Sequence, residues 1–489
     1  MTLKLWHAPS SSSSSSLVTR DAIATIFSDV LGNKFPDLTS AQWHKQFQNY
    51  FYEMTRAEFS DPQQMAQIAT SGLNSLHNSI VNENGINIRD IVESGWNQKT
   101  PAVITFKIHG TGIAHPVEIS ESVVNDWVTN HLAEPAVAQL SGQPSAAPSD
   151  HLLFALGGGA ECAPTLPWLS AGGNIACVMR SGQTRWAQYI SHARSTAGVL
   201  YVPVLASQIP EGTTELDDKQ LAAVAGLDLI ENPAEIAQWL SIMSDELPKT
   251  IIAAFAYSPG ASHVVVQGVQ DSLMAQAIAA LPKEKIVLSW LGTPTDSIAV
   301  DLSILEDRIH RFDERSLLTR VRDLGWRLIG GLRAPVVDIF ETTHGASLAL
   351  IDCSAGLQGA NYLFAKRSQR WRAYLADSVG VQVAYVVTPP ARTTSVLRHR
   401  ILRASYKGAK HFGFIPFGVP ITQTLSAALL IEHLRQPLHS DPLDPAQLSV
   451  RLAVHGGLWR TAYEPQSVWV PATVRGLLGW FSSESAAKN

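Results

Sequence analysis

Between residues 150 and 390 the chain alternates short apolar runs with longer segments whose apolar residues recur at helical spacing. The runs lie at 151–156, 174–179, 199–205, 250–257, 285–290, 347–352 and 381–387, and most are nearly continuous rather than apolar at every second position. Each reads as a short apolar strand. Segments 233–240, 264–281, 316–328 and 361–377 fall between them and predict helices. Such alternation predicts an α/β domain with a largely parallel sheet.

The region upstream reads differently. Ile23, Ile26, Phe27 and Val30 share one helical face, and Trp43, Phe47, Phe51 and Met54 share another. A mainly helical N-terminal domain is therefore predicted over residues 19–138, with a strand at 102–108 and an amphipathic helix at 120–132. Residues 139–150, rich in Ser, Pro, Gly and Ala, read as a linker. The main domain is expected at 151–435, closing with Phe412, Phe414 and Phe417 around a Gly/Pro loop and an apolar helix at 425–434. Residues 436–489 form a C-terminal extension with Trp459, Trp469 and Trp480, and residues 1–18, with the tract Ser10 to Ser16, read as a disordered tail.

Composition narrows the class of protein. At 489 residues, two or three domains are expected, and 45% hydrophobic content supplies ample core. A net charge of −5 argues against nucleic acid as a partner, since phosphate neutralisation needs a basic surface. No run of eighteen apolar residues occurs and no apolar signal core opens the chain, so neither an integral membrane segment nor a leader is expected, and the location is read as cytoplasmic. Cys162, Cys177 and Cys353 sit in or beside apolar runs and read as buried small hydrophobes. The sixteen histidines form no metal-ligand spacing, so no metal is expected.

Candidate chemistry concentrates after residue 350. Tyr362 and Lys366 are four apart, which on a helix puts phenol and ammonium on one face about 6 Å apart. A nearby ammonium is expected to lower the phenol's pKa and ready it for proton transfer, with Ser354 holding the substrate oxygen. Thr293 or Thr295 takes that role if the run ending near residue 290, rather than the one at 347–352, is the strand that precedes the catalytic helix. After the run at 381–387 comes Thr388-Pro389-Pro390-Ala391-Arg392-Thr393-Thr394.

Strand, Ser-bearing turn, Tyr-x-x-x-Lys helix, strand and Pro-rich loop with Thr resemble the catalytic half of the short-chain dehydrogenase/reductase family. The resemblance implies a doubly wound parallel sheet of Rossmann type, with Pro389 and Thr393 closing over a nicotinamide. Pro390 stands where the family has Gly, and the gap from Ser354 to Tyr362 is shorter than the family's by roughly four residues. A phosphate turn is expected upstream, where the run at 151–156 ends in Gly157, Gly158 and Gly159 before a second strand. Glu161 is an anion within that turn, and Ser258-Pro259-Gly260-Ala261 replaces the family's Asn-Asn-Ala-Gly. Arg180, Ser181 and Arg185 follow the second strand with no carboxylate among them, which favours NADP over NAD.

The resemblance implies an NADP(H)-dependent oxidoreductase that moves hydride between cofactor and a carbonyl or secondary alcohol. Its substrate would be a small molecule, apolar or acyl-type given the aromatics at 412–417, and assembly from identical subunits is left open. The competing expectation is a catalytically degenerate nucleotide-binding module with a regulatory or assembly role, favoured by Glu161, Pro390 and the missing Asn-Asn-Ala-Gly.

Overall fold

A computed structural model describes residues 3–5, 15–209, 215–328, 331–436 and 445–486. Twelve strands are present among them: β1 (Lys4–Leu5), β2 (Ile80–Val81), β3 (Val103–His109), β4 (His151–Leu156), β5 (Asn174–Val178), β6 (Val199–Leu205), β7 (Lys249–Ala254), β8 (Ile286–Gly292), β9 (Ser297–Asp301), β10 (Ile339–Glu341), β11 (Ser347–Asp352) and β12 (Gln382–Val387). Seven of them make the central sheet, in the order β12-β8-β7-β4-β5-β6-β3. All neighbours pair parallel except β3, which runs antiparallel to β6 at the edge.

The apolar runs become buried strands for the reason their pattern implies. On β4, Leu152, Phe154 and Leu156 enter one core, whereas Leu153 and Ala155 enter the other, so each face of the sheet needs its own cover. Helices Thr165–Ser170, Gln183–Ser195 and Val419–Arg435 contribute to the second core. On the first face lie helices Pro233–Met243, Ala261–Ala280 and Gly359–Ser378, with the N-terminal helices Ser40–Ser60 and Pro62–Asn78 outside them. The fold is thus α/β, with an N-terminal helical region ahead of a seven-stranded, mostly parallel sheet.

Three sequence expectations come out differently. β11 does not join the parallel sheet; it pairs antiparallel with β9 and β10 in a separate three-stranded sheet, so the strand that leads toward the Tyr362 helix in the central sheet is β8. The strand expected within the N-terminal helical unit is β3, an integral edge of that sheet. Residues 139–150 are held in place rather than loose, since Ser145 and Val117 exchange backbone hydrogen bonds and Ala147 is buried.

Among the described residues, the segment read as a disordered tail contains β1, paired with β2. A helix begins at Ser15 and buries Val18, while the serines at 10–14 lie outside the described residues. In the C-terminal extension Trp459 is fully buried, and its indole donates to the Pro294 carbonyl at 2.8 Å, so it packs beside the loop after β8. Trp469 meets Phe414 edge-on, and the side chain of Trp480 lies outside what is described.

Candidate active site

Helix Gly359–Ser378 starts at a glycine with φ +79°, a conformation that suits a residue without Cβ. It carries Tyr362 on its first turn and Lys366 on its second. The Tyr362 hydroxyl donates to Thr293 Oγ1 at 3.0 Å, and Thr293 lies 2.8 Å from Thr295 Oγ1 in the loop that leaves β8. Lys366 Nζ donates to the Leu291 carbonyl at 2.8 Å and to Gln369 Oε1 at 3.3 Å. The structure therefore joins the Tyr-x-x-x-Lys pair to the end of β8.

Ser354 has other partners. Its hydroxyl receives Gln48 Nε2 at 2.8 Å and Gln466 Nε2 at 3.1 Å, and its amide donates to Asp352. The hydroxyl found at Tyr362 is that of Thr293, the alternative left open by the sequence. The physical reason is topological: β11 carries Ser354 into the small sheet, while β8 ends beside the Tyr362 helix.

The expected lowering of the Tyr362 pKa is not found. Burial pushes it up to about 12, against the smaller pull of the Thr293 hydrogen bond. Lys366, its ammonium committed to Leu291 and Gln369, is drawn down to about 8 by burial. At neutral pH the phenol is a proton donor, and the ammonium retains its charge.

A pocket of about 120 Å³ opens beside Tyr362, walled by His44, Tyr257, Ser258, His263 and Gln358. His263 stacks on the Tyr362 ring at 5.7 Å and 10°, and accepts from the Ser258 amide through Nδ1. Burial, with the Lys366 charge adding to it, lowers the pKa of His263 to about 3. The ring is therefore neutral, and Nε2 carries its proton. Neither His263 Nε2 nor Gln358 Oε1 has a hydrogen-bond partner among the described residues, which leaves one donor and one acceptor for a ligand group.

The glycine turn lies close by. A Cβ on Gly157, at φ +89°, would stand 2.4 Å from the Ala256 backbone, and the following residue, Tyr257, has its ring 6.2 Å from that of Tyr362. Gly158 and Gly159 are closely packed: a Cβ on Gly158 would lie 2.5 Å from Cys177 Sγ, and one on Gly159 would lie 2.3 Å from Met179 Sδ, which sits on a side chain that can move. The Gly157 and Gly158 amides both donate to Val178 O. Glu161 accepts from the Thr394 amide at 2.8 Å and from its hydroxyl, which docks the Pro-rich loop onto the turn. Thr394, not Thr393, makes this contact; Thr393 Oγ1 is 3.1 Å from Ser395 Oγ, and Pro389 lies near Gly456.

At the end of β5, Arg180 and Ser181 are exposed, and Arg185 donates to the Gly159 carbonyl at 3.3 Å. A carboxylate does reach this corner: Asp228, after β6, stands 3.9 Å from Arg180. Sequence distance hid it, since Asp228 lies in the turn between helices Asp218–Val224 and Pro233–Met243. The three cysteines are free, and burial raises the pKa of each.

One further group bears on the site. Asp296, next to Thr295, binds Arg367, next to Lys366, and Glu58 from the Ser40–Ser60 helix binds both Arg367 and Arg370. All four are buried. Single buried charges are hard to read in sequence, because each looks like an ordinary surface residue until its partners arrive from three distant segments.

The molecule is, by fold, an α/β protein built on a seven-stranded mostly parallel sheet, with the Tyr362, Lys366 and Thr293 cluster after β8. No protein-family model matches the chain, and a search of curated proteins finds no match either.

Proposed function

We propose that the chain is an NADP(H)-dependent oxidoreductase of the short-chain reductase type, acting at Tyr362 on a small carbonyl compound. The observation that carries the reading is the 3.0 Å hydrogen bond from Tyr362 to Thr293, with Lys366 one turn along the same helix. Counting only its parallel strands in chain order, the sheet reads 3-2-1-4-5-6, the order of doubly wound dinucleotide folds, in which ligands sit beyond the carboxyl ends of the strands. Gly157 and Thr293 both follow such ends.

The donor set suits a dinucleotide phosphate. Arg180 and Arg185 would meet the 2′-phosphate, and the one Lys366 N–H not given to Leu291 or Gln369 would meet a ribose; against an anion in the turn stand Glu161 and the Gly157 and Gly158 amides, which already donate to Val178 O. Bound NADPH would supply the hydride. Thr293 orients the substrate oxygen, Tyr362 donates its proton to that oxygen as negative charge develops, and a phenol protonated at neutral pH suits reduction rather than oxidation. His263 and Gln358 offer a donor and an acceptor to a polar group beside the reacting carbonyl. Titration with NADPH, followed by turnover of simple ketones, tests the reading; absence of NADPH binding would overturn it.

Glu161 favours a second reading, a nucleotide-fold module without catalysis, because its carboxylate already closes the Pro-rich loop onto the turn. NADPH binding without turnover of any ketone would select this one.

A further inference from the structure

We propose that helix Leu317–Leu328 is a docking element for an anionic membrane surface. The helix is turned inside out relative to a normal surface helix. Its one carboxylate, Asp323, is buried and held by Arg315 at 2.6 Å, by Arg322 and by the Tyr463 hydroxyl, and Trp326 packs near Phe412 on the same inward side. Outward stand Leu317 at 77% exposure, Leu318 at 83%, Val321 at 64%, Leu324 at 60% and Leu328 at 83%. The helix is ordered by polar bonds to the body while its apolar stripe meets solvent, and exposed apolar patches of this kind mark interaction sites.

Charge identifies the occupant. Successive residues turn by 100°, so Arg320 and Arg327 flank the stripe on one side and Arg322 on the other; all three are exposed, although Arg320 also donates to the Asp313 and Arg315 carbonyls, Arg327 to the Leu332 carbonyl, and Arg322 pairs with Asp323. Pairing with a second copy, parallel or antiparallel, would set arginine flank against arginine flank. An anionic bilayer instead accepts the leucines among its acyl chains and the guanidinium groups at its headgroups. No helix among the described residues is long and apolar enough to cross a membrane, so the contact is one of lying on the surface.

The test is flotation of the full chain with phosphatidylcholine vesicles, with and without phosphatidylserine. Binding is expected only with phosphatidylserine, and it should weaken as salt rises. Leu324→Glu should abolish it with an unchanged thermal melt, because that side chain is exposed, and Arg320→Gln with Arg327→Gln should reduce it at least about tenfold, the loss of their bonds to the Asp313, Arg315 and Leu332 carbonyls being read separately from the melt. Wild-type protein that stays with the unbound fraction, or a Leu324→Glu variant that floats like wild type, would overturn the proposal. So would a dimer in sedimentation that dissociates on Leu324→Glu, since the stripe would then be covered by a second copy.

Discussion

Asp296 receives Arg367 through Nη2 at 2.6 Å and Nε at 3.1 Å, a two-pronged bond between the residue after Thr295 and the residue after Lys366. The loop that presents Thr293 and the helix that presents Tyr362 are thereby tied together next to the site. Glu58 extends the tie to the N-terminal helices, through Arg367 at 3.0 Å and Arg370 at 2.8 Å.

Removing the guanidinium by Arg367→Met should therefore cost about 3–5 kcal/mol of stability, because Asp296 and Glu58 would remain buried with one cation between them. Urea denaturation checks it. A loss below about 1 kcal/mol would mean that Arg370 alone satisfies both carboxylates.

The catalytic assignment separates Thr293 from Ser354. Tyr362→Phe keeps the ring and its stacking on His263 while removing the acid, and ketone turnover should fall by roughly 10²-fold to 10⁴-fold. Thr293→Val should lower turnover in the same direction, and Ser354→Ala should leave it within about twofold, since Ser354 bonds to Gln48 and Gln466. Equal losses from both would return Ser354 to the site.

Cofactor selectivity rests on two arginines. Replacing Arg180 and Arg185 together by Ala should weaken NADPH binding by about 2–4 kcal/mol and barely change NADH binding. Fluorescence titration with both cofactors decides the matter, and a preference for NADH in the parent protein would shift the role of ribose ligand to Asp228.

Glu161 distinguishes the two functional readings. Glu161→Gln keeps an acceptor for Thr394 but removes the anion from the turn, so NADPH should bind severalfold more tightly. Unchanged affinity would place the pyrophosphate elsewhere.

Asp352 gives a pH signature. Burial raises its pKa to about 6, outweighing hydrogen bonds from Ser354 and Ser297. The folded state then binds more protons than the unfolded chain between the ordinary value, 3.8, and about 6, so this group's contribution to stability falls as pH rises through that window. Asp352→Asn should gain on the parent by about 2–3 kcal/mol between pH 4 and pH 7, read from paired denaturation curves. A constant difference across that range would refute the raised pKa.

Much of the fold was legible in the chain because burial on both faces writes itself as continuous apolar runs. Six of the seven runs became the parallel strands of the central sheet, and the Tyr362 to Lys366 spacing specified a shared helix face. Pairing was not legible. The run at 347–352 looks like its neighbours, yet β11 pairs with β9 and β10, and that choice of partner moved the hydroxyl at Tyr362 from Ser354 to Thr293. Likewise the phenol's pKa depended on how deeply it is buried, and the stack of His263 on Tyr362 joins residues from two different helices. Local spacing determines helix faces and strand burial through the chain's own geometry. Strand partners, buried charge clusters and desolvation arise between distant segments, and only the tertiary structure decided those.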